Sequence, residues 1–389
     1  PSADQKRYGF TDTGFGFRWH EFDERFDLNL HPNEGNRFGW VVEIDPWHPE
    51  KAPVKRTALG RFKHEGATVT LARDRRVVVY MGDDERFEYI YKFVSKAAYI
   101  VGQSDTERLL DEGTLYVARF GDDGKGRWLP LRHGEKYPNG TLSAENGFHN
   151  PGDIAIRSRQ AADLAGASKM DRPEWIAVNP KNGEVYVTLT NNSKRGTSEV
   201  PGLNAANPRA ENVFGHIIRW RENGHDAAST AFEWDVFALA GDPQHPDENK
   251  RGNIKGDAYG SPDGLWFDQS GLLWIQTDVS TSVLNKGDYA RLGNNQMLVA
   301  DPQSGLTQRF LTGPNGCEIT GISSTPDGRS LFVNIQHPGE TASERSDPAK
   351  TTALSAWPAN QFPDAVAGRP RSGTVVITRQ DGKTISSSK

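Results

Sequence analysis

The 389-residue chain carries 46 basic and 51 acidic residues, well mixed and summing to a formal net charge of −5, which excludes a sequence-independent grip on nucleic acid. Its length suits one large all-β unit or two average domains. A mean hydropathy of −0.68 and the absence of any apolar run of about 18 residues exclude a membrane-spanning segment.

The 40 Gly and 23 Pro, beside 10 Trp, 18 Phe and 10 Tyr, predict many short strands joined by tight turns and packed by aromatics. The chain opens at Pro1 with neither an initiator Met nor an export signal, so an upstream portion is expected to be missing or removed. Trp19, Phe22, Phe26 and Trp40 are expected to pack on a neighbouring repeat and, in a truncated chain, to be exposed. The stretch Asp12-Thr13-Gly14-Phe15-Gly16-Phe17 is Gly-rich like a phosphate loop, but no strand-to-helix context follows it, so it reads as an aromatic packing turn. Gly39 to Ile44 reads as a strand, ended by Asp45-Pro46 because proline cannot continue a ladder.

From residue 64 a repeat emerges, and such self-similarity decides an architecture. Its copies run from His64-Glu65-Gly66 to Tyr80-Met81-Gly82-Asp83-Asp84, from Arg172-Pro173-Glu174-Trp175 to Thr190-Asn191-Asn192, from Ser261-Pro262-Asp263-Gly264 to Thr277-Asp278, and from Gly316-Cys317-Glu318 to Gln336-His337. Each is an acid, a short apolar strand, a turn and a second apolar strand that ends in polar residues. The turns Asn179-Pro180-Lys181-Asn182-Gly183, Asp268-Gln269-Ser270-Gly271 and Thr325-Pro326-Asp327-Gly328 set Asn or Asp beside Gly, as a hairpin with positive φ requires. Between the copies, residues 95–112 and 153–169 read as short helices. Thr114 to Phe120, Gly215 to Trp220, Phe232 to Ala238, Gln296 to Ala300 and Gln308 to Leu311 read as outer strands. Residues 193–212, 242–260 and 340–373 are polar loops, and Thr374 to Thr378 is a last strand. Two hairpins per repeat make a four-stranded blade, so the prediction is an all-β propeller with helical and loop insertions, one domain over residues 1–389 that is incomplete at its N-terminus.

In a propeller the innermost strands line a central channel, and residues at one repeat position converge there. Glu65, Glu174, Asp263 and Glu318 hold that position. Any one of them alone would cap a turn or pair with an arginine. Converging carboxylates resist joint ionisation unless a cation is present, and all-oxygen ligands favour hard ions such as Ca²⁺, Mg²⁺, Mn²⁺ or Fe³⁺ over zinc. His64, His216 and His337 are nearby candidates to extend the set, and Asp83, Asn191, Asp278 and Gln336 offer further oxygens at the ends of the second strands. The run Asp83-Asp84-Glu85 reads more readily as a solvated turn than as a ligand group. Arg172, two residues before Glu174, shares a face with it in extended backbone, and serves either as a phosphate clamp or as charge balance for the acids.

The same segments carry a resemblance. The runs from Arg56 to Gly66, from Val79 to Tyr89, Asp171-Arg172-Pro173-Glu174-Trp175 and the run from Leu331 to Glu340 resemble the PhoX-type alkaline phosphatases, over nearly the whole chain. The resemblance implies a six-bladed propeller with an iron and calcium cluster (Fe³⁺ and Ca²⁺) in its channel, exported by the twin-arginine route to the periplasm or secreted, and hydrolysing phosphomonoesters; a monomer acting on a small-molecule phosphomonoester is expected. It further implies Glu65, Glu174 and Asp263 as cluster ligands and Arg172 as the phosphate contact; Glu318 is added from the repeat register alone. Family members have an upstream portion that supplies a cysteine on iron. Cys317 lies far downstream and is expected to be a small buried apolar side chain.

The leading expectation is thus metal-assisted phosphomonoester hydrolysis with Arg172 stabilising charge on the phosphoryl group. The alternatives are a Ca²⁺-dependent lactonase or esterase on another propeller, and a propeller that binds metal or a partner without catalysis.

Overall fold

The computed structural model describes residues 1–14, 16–102, 108–340, 347, 349–363 and 368–386. Strand outweighs helix, 33% against 13%, as the turn-rich composition requires. The chain divides into two compact units. The first comprises Pro1–Phe120, Gly126–Lys169 and Glu222–Phe232; the second comprises Gly121–Lys125, Met170–Arg221 and Glu233–Lys389.

The first unit begins with a short helix, α1 (Ala3–Arg7), closed by a capping box in which Ser2 and Gln5 satisfy each other's backbone donors. A two-residue ribbon, β1 (Val42–Glu43) against β2 (Val54–Lys55), follows. Then comes an antiparallel meander of β3 (Thr68–Leu71), β4 (Arg76–Gly82), β5 (Ile90–Ala98) and β6 (Gly113–Phe120), each paired with the next. The strand β7 (Lys125–Pro130) pairs with β6. Val77 to Gly82 of β4 are buried on both faces, which is why that stretch is a continuous apolar run rather than an alternation. A small ribbon of β8 (Lys136–Tyr137) and β9 (Gly140–Thr141) leads to α2 (Pro151–Ile156) and α3 (Ser158–Ala165). Ala161, Ala162 and Ala165 of α3 pack into a core with Val79, Met81, Tyr91, Phe93, Val117 and Leu142.

The strands β5 and β7 were not foreseen, and the helix expected over residues 95–112 does not begin where expected: residues 95–98 are strand, and Arg108 is the described residue of that stretch in helical, 3-10 conformation. Residues 95–98 continue β5, with Ala98 opposite Arg76, and Val77 N–H donates to Ser95 Oγ at 2.8 Å. The edge of β4 away from β3 offers a ladder that local helix propensity cannot outweigh; residues 103–107 of that stretch lie outside the described residues. Trp19 and Phe22 are exposed, whereas Phe26 packs edge-on against Trp19 with ring centroids 5.3 Å apart and Trp40 Nε1 donates to Asn36 O. No strand or α-helix takes in Asp12 to Phe17 among the described residues, and Phe15 lies outside them.

In the second unit, β10 (Pro173–Val178), β11 (Val185–Leu189), β12 (His216–Glu222) and β13 (Ala231–Leu239) neighbour one another in sequence order. A two-residue strand, β14 (Lys255–Gly256), edges a second four-stranded meander of β15 (Pro262–Phe267), β16 (Leu273–Thr277), β17 (Gln296–Ala300) and β18 (Leu306–Thr312). A third sheet holds β19 (Glu318–Ser324), β20 (Ser330–Gln336) and β21 (Gly373–Thr378). Two hairpins per blade, as the repeat predicts, are present in the first two of these sheets. Tyr186, Phe214, Ile217, Phe267, Ile275 and Leu298 form one core between neighbouring sheets. Trp274, Met297, Ile319 and Val333 form another, and Cys317 is buried in it.

Candidate functional site

In the second unit two acids are delivered by one backbone device. Arg172 and Ser261, each just before a proline that opens a strand, adopt the left-handed conformation with φ of 56° and 48°. That conformation costs a non-glycine residue on the order of 1 kcal/mol and persists only where neighbours over-determine it. Here the neighbours are visible: Thr190 N–H donates to Arg172 O, and Asp278 N–H to Ser261 O, both at 3.1 Å. Past each proline the ladder slips by one residue, between Pro173 and Ile176 and between Pro262 and Leu265. Such bulges re-aim the side chains beside them, and the ones re-aimed here are Glu174 and Asp263. Thr188 Oγ1 donates to Asp263 O at 2.6 Å, which ties β15 to β11 of the preceding sheet. At Gly264 a Cβ would lie 2.3 Å from Gln276 Oε1, so a larger residue there would displace that buried side chain. These pairings match Asp278 to Thr190, one residue away from the Asn191 equivalence read in the sequence.

The guanidinium of Arg172, about a quarter exposed, reaches the buried Glu174 with Nη2 3.2 Å from Oε1. The preceding residue, Asp171, is wholly buried. Its Oδ1 accepts from Arg195 Nε at 2.8 Å and Asn192 Nδ2 at 2.9 Å, and its Oδ2 accepts from Asn212 Nδ2 at 3.0 Å. This satisfied polar cluster grips the backbone from which Arg172 projects. Ser261 is held in a comparable way, by a hydrogen bond of 2.7 Å to Tyr289 Oη, whose own hydroxyl donates to Val213 O.

Glu318 departs from the pattern. It pairs in register with Gln336, and its bulge lies further on, between Thr320 and Ile322, so it is a ladder residue rather than a re-aimed one. Its carboxylate accepts from Gln336 Nε2 at 2.8 Å and lies 3.5 Å from His337 Nε2. Burial, then the charge of Asp278, push its carboxyl up to about 7. Of the other two histidines, only His216 has both ring nitrogens engaged. His216 is fully buried with Nδ1 against Asn212 and Nε2 against Ala206 O, and burial drops it to about 4. His64 stacks on Phe62, turns Nε2 to Gly60 O and is likewise lowered to about 4 by burial.

In the first unit the segment leading into β3 lies antiparallel to the end of β4. Glu65 N–H donates to Gly82 O and Asp84 N–H to Lys63 O. Alternation along the strand then separates two adjacent acids. Asp83 turns inward, is fully buried, and is taken by Arg159 through a two-pronged bond of 2.6 and 2.8 Å. It is not available as the oxygen donor the sequence suggested. Asp84, read as a solvated turn, is half-buried and brings a carboxylate oxygen within 4.8 Å of one from Glu65. That span is what two Ca²⁺–oxygen bonds of about 2.4 Å bridge, and a donor pair made of carboxylates suits a hard cation. Cys317, buried in an apolar core, offers iron no thiolate.

A family model described as alkaline phosphatase PhoX matches residues 1–339. A solved structure of Pseudomonas fluorescens PhoX in complex with vanadate, a transition-state analogue, is 48% identical with a TM-score of 0.88; the match covers 99% of this chain and 65% of that one. The chain therefore spans less than two thirds of that protein. Two further solved structures match too distantly to carry an argument. One is a protein of unknown function from Dyadobacter fermentans (9% identity, TM-score 0.27, 70% of this chain and 61% of that). The other is PorZ of Porphyromonas gingivalis (11%, 0.26, 78% and 37%). No curated protein matches the sequence. With blade-like sheets in its units and this likeness, the fold class is the β-propeller. The chain belongs to the alkaline phosphatase PhoX family.

Proposed function

We propose that the chain is the greater part of a metal-dependent alkaline phosphatase that hydrolyses phosphomonoesters. The observation that carries the reading is the vanadate complex of its 48%-identical relative, since vanadate imitates a phosphoryl group in transit. In this reading Glu65 and Asp84 of the first unit, with Glu174, Asp263 and Glu318 of the second, hold hard cations, Ca²⁺ and Fe³⁺ as the family implies. When bound, those ions neutralise phosphate oxygens and lower the pKa of an attacking water. Arg172 offers the planar fork that pairs with two phosphate oxygens, and its bond to Glu174 orients that fork. This reading needs no serine nucleophile, and Ser261 gives its hydroxyl to Tyr289, while Ser323 and Ser324 are ladder residues of β19. The setting the family implies is the periplasm or the extracellular space. No helix among the described residues is long and apolar enough to cross a membrane. We propose further that both units belong to one propeller acting as a monomer on a small substrate, without nucleic acid.

The test is elemental analysis of the purified protein beside a panel of phosphomonoesters and lactones, before and after exhaustive chelation. Metal-dependent turnover of p-nitrophenyl phosphate is expected. Full turnover by metal-free protein, or preference for lactones, overturns the reading.

A further inference from the structure

Asp83 is a puzzle if it is only a core residue. A fully buried carboxylate paired with an almost fully buried arginine, 0% and 3% exposed at their side chains, loses more hydration than it recovers unless its geometry is excellent. Well-packed apolar residues commonly serve stability as well. The geometry here does more than balance charge. Asp83 Oδ1 accepts from Arg159 Nη2 and also from the backbone N–H of Lys63, the latter at 3.1 Å. One carboxylate thus fastens together the two backbone segments that carry Glu65 and Asp84. Those segments otherwise share the Glu65-to-Gly82 and Asp84-to-Lys63 hydrogen bonds, and the isolated bridge between His64 and Asp83 marks a ladder only one residue long. Arg159 is itself anchored: it stands in the first turn of α3, its Nη1 donates to Arg7 O at 3.2 Å, and its guanidinium lies 5.0 Å from the Tyr8 ring centroid.

We infer that Arg159 is a positioning residue for the cation-binding carboxylates Glu65 and Asp84. Acting through Asp83, it clamps the Lys63–Glu65 segment to the end of β4 and so sets the spacing between the Glu65 and Asp84 carboxylates. This rests on the proposed cation-binding role of that pair. Residues that orient metal ligands without touching the metal characteristically alter affinity 10- to 100-fold, and a clamp on both ligand-bearing segments belongs among them.

The experiment is calorimetric titration of Ca²⁺ into chelator-stripped full-length chain for wild type, Glu65→Gln, Arg159→Lys and Asp83→Asn. Far-UV circular dichroism and thermal melts run alongside in the absence of Ca²⁺. Glu65→Gln identifies the binding step that belongs to the pair. In the folded Arg159→Lys and Asp83→Asn proteins that step is expected to weaken by about 10- to 100-fold. Lysine, keeping the charge but losing the fork, should be the milder of the two. A variant that melts earlier yet binds Ca²⁺ within twofold of wild type overturns the inference and leaves the pair a structural ion pair. Failure of both variants to fold does the same. A wild type that takes up no Ca²⁺ at a step sensitive to Glu65→Gln overturns instead the cation-binding reading on which the inference stands.

Discussion

Replacing Asp171 by Ala removes the acceptor at the centre of the cluster behind Arg172. Both Asp171 and Arg195 are 0% exposed at their side chains, so the variant leaves a buried guanidinium without the carboxylate 2.8 Å from its Nε. Breaking one side of such a pair costs about 3–5 kcal/mol. The Asn192 and Asn212 amides lose the same acceptor, and each orphaned donor costs on the order of 1–3 kcal/mol before relaxation. Because all three donors converge on one group, the losses overlap, and the charge sets the scale at about 4 kcal/mol. Asp171→Asn keeps the shape and one acceptor oxygen, and is expected to lose about 2 kcal/mol. Guanidinium-chloride unfolding read by tryptophan fluorescence measures both. The folded Asn variant should also lose about tenfold in kcat/KM for p-nitrophenyl phosphate, worth about 1.4 kcal/mol of transition-state binding, because the left-handed backbone at Arg172 is held less firmly. Wild-type stability together with wild-type kcat/KM in Asp171→Asn would refute the view that this cluster positions Arg172.

Arg172→Ala should retain its metals in elemental analysis while kcat/KM falls by on the order of 10²- to 10³-fold, and Arg172→Lys should recover little because an ammonium lacks the planar fork. Cys317, 1% exposed and pushed up to about 12 chiefly by burial, should ignore a thiol reagent in the native protein and react on denaturation; rapid native labelling would contradict its place in the core. Lys92 in the first unit is buried against Glu222 at 3.1 Å, with its Nζ 4.5 Å from the Trp128 ring centroid and Tyr80 also near. Burial lowers it from 10.5 to about 8, against the pull of Glu222 and Asp226. Between those values the unfolded chain holds a proton that the folded protein has released, so stability rises with pH through that window. Relative to Lys92→Met/Glu222→Leu, the wild type should therefore gain up to about 3 kcal/mol between pH 8 and 10, and a flat difference would contradict the assignment.

Much of this protein was legible in its residues alone. The hairpins were, because a turn such as Asp268-Gln269-Ser270-Gly271 and a strand such as Leu272 to Ile275 are specified by neighbours in the chain. So were the recurrence of Glu65, Glu174, Asp263 and Glu318 at the head of each repeat and the family strings around Arg172. Tertiary structure alone decided the rest. It turned Asp83 inward to an arginine 76 residues away and left Asp84 beside Glu65. It locked both nitrogens of His216, held Glu318 in the ladder while bulges swung Glu174 and Asp263 aside, and drew residues 95–98 into β5. These are long-range choices. Which face a strand-end side chain takes, and whether a polar atom is already satisfied, depend on partners that sequence spacing does not reveal, because a slip of one residue reverses every side chain beyond it.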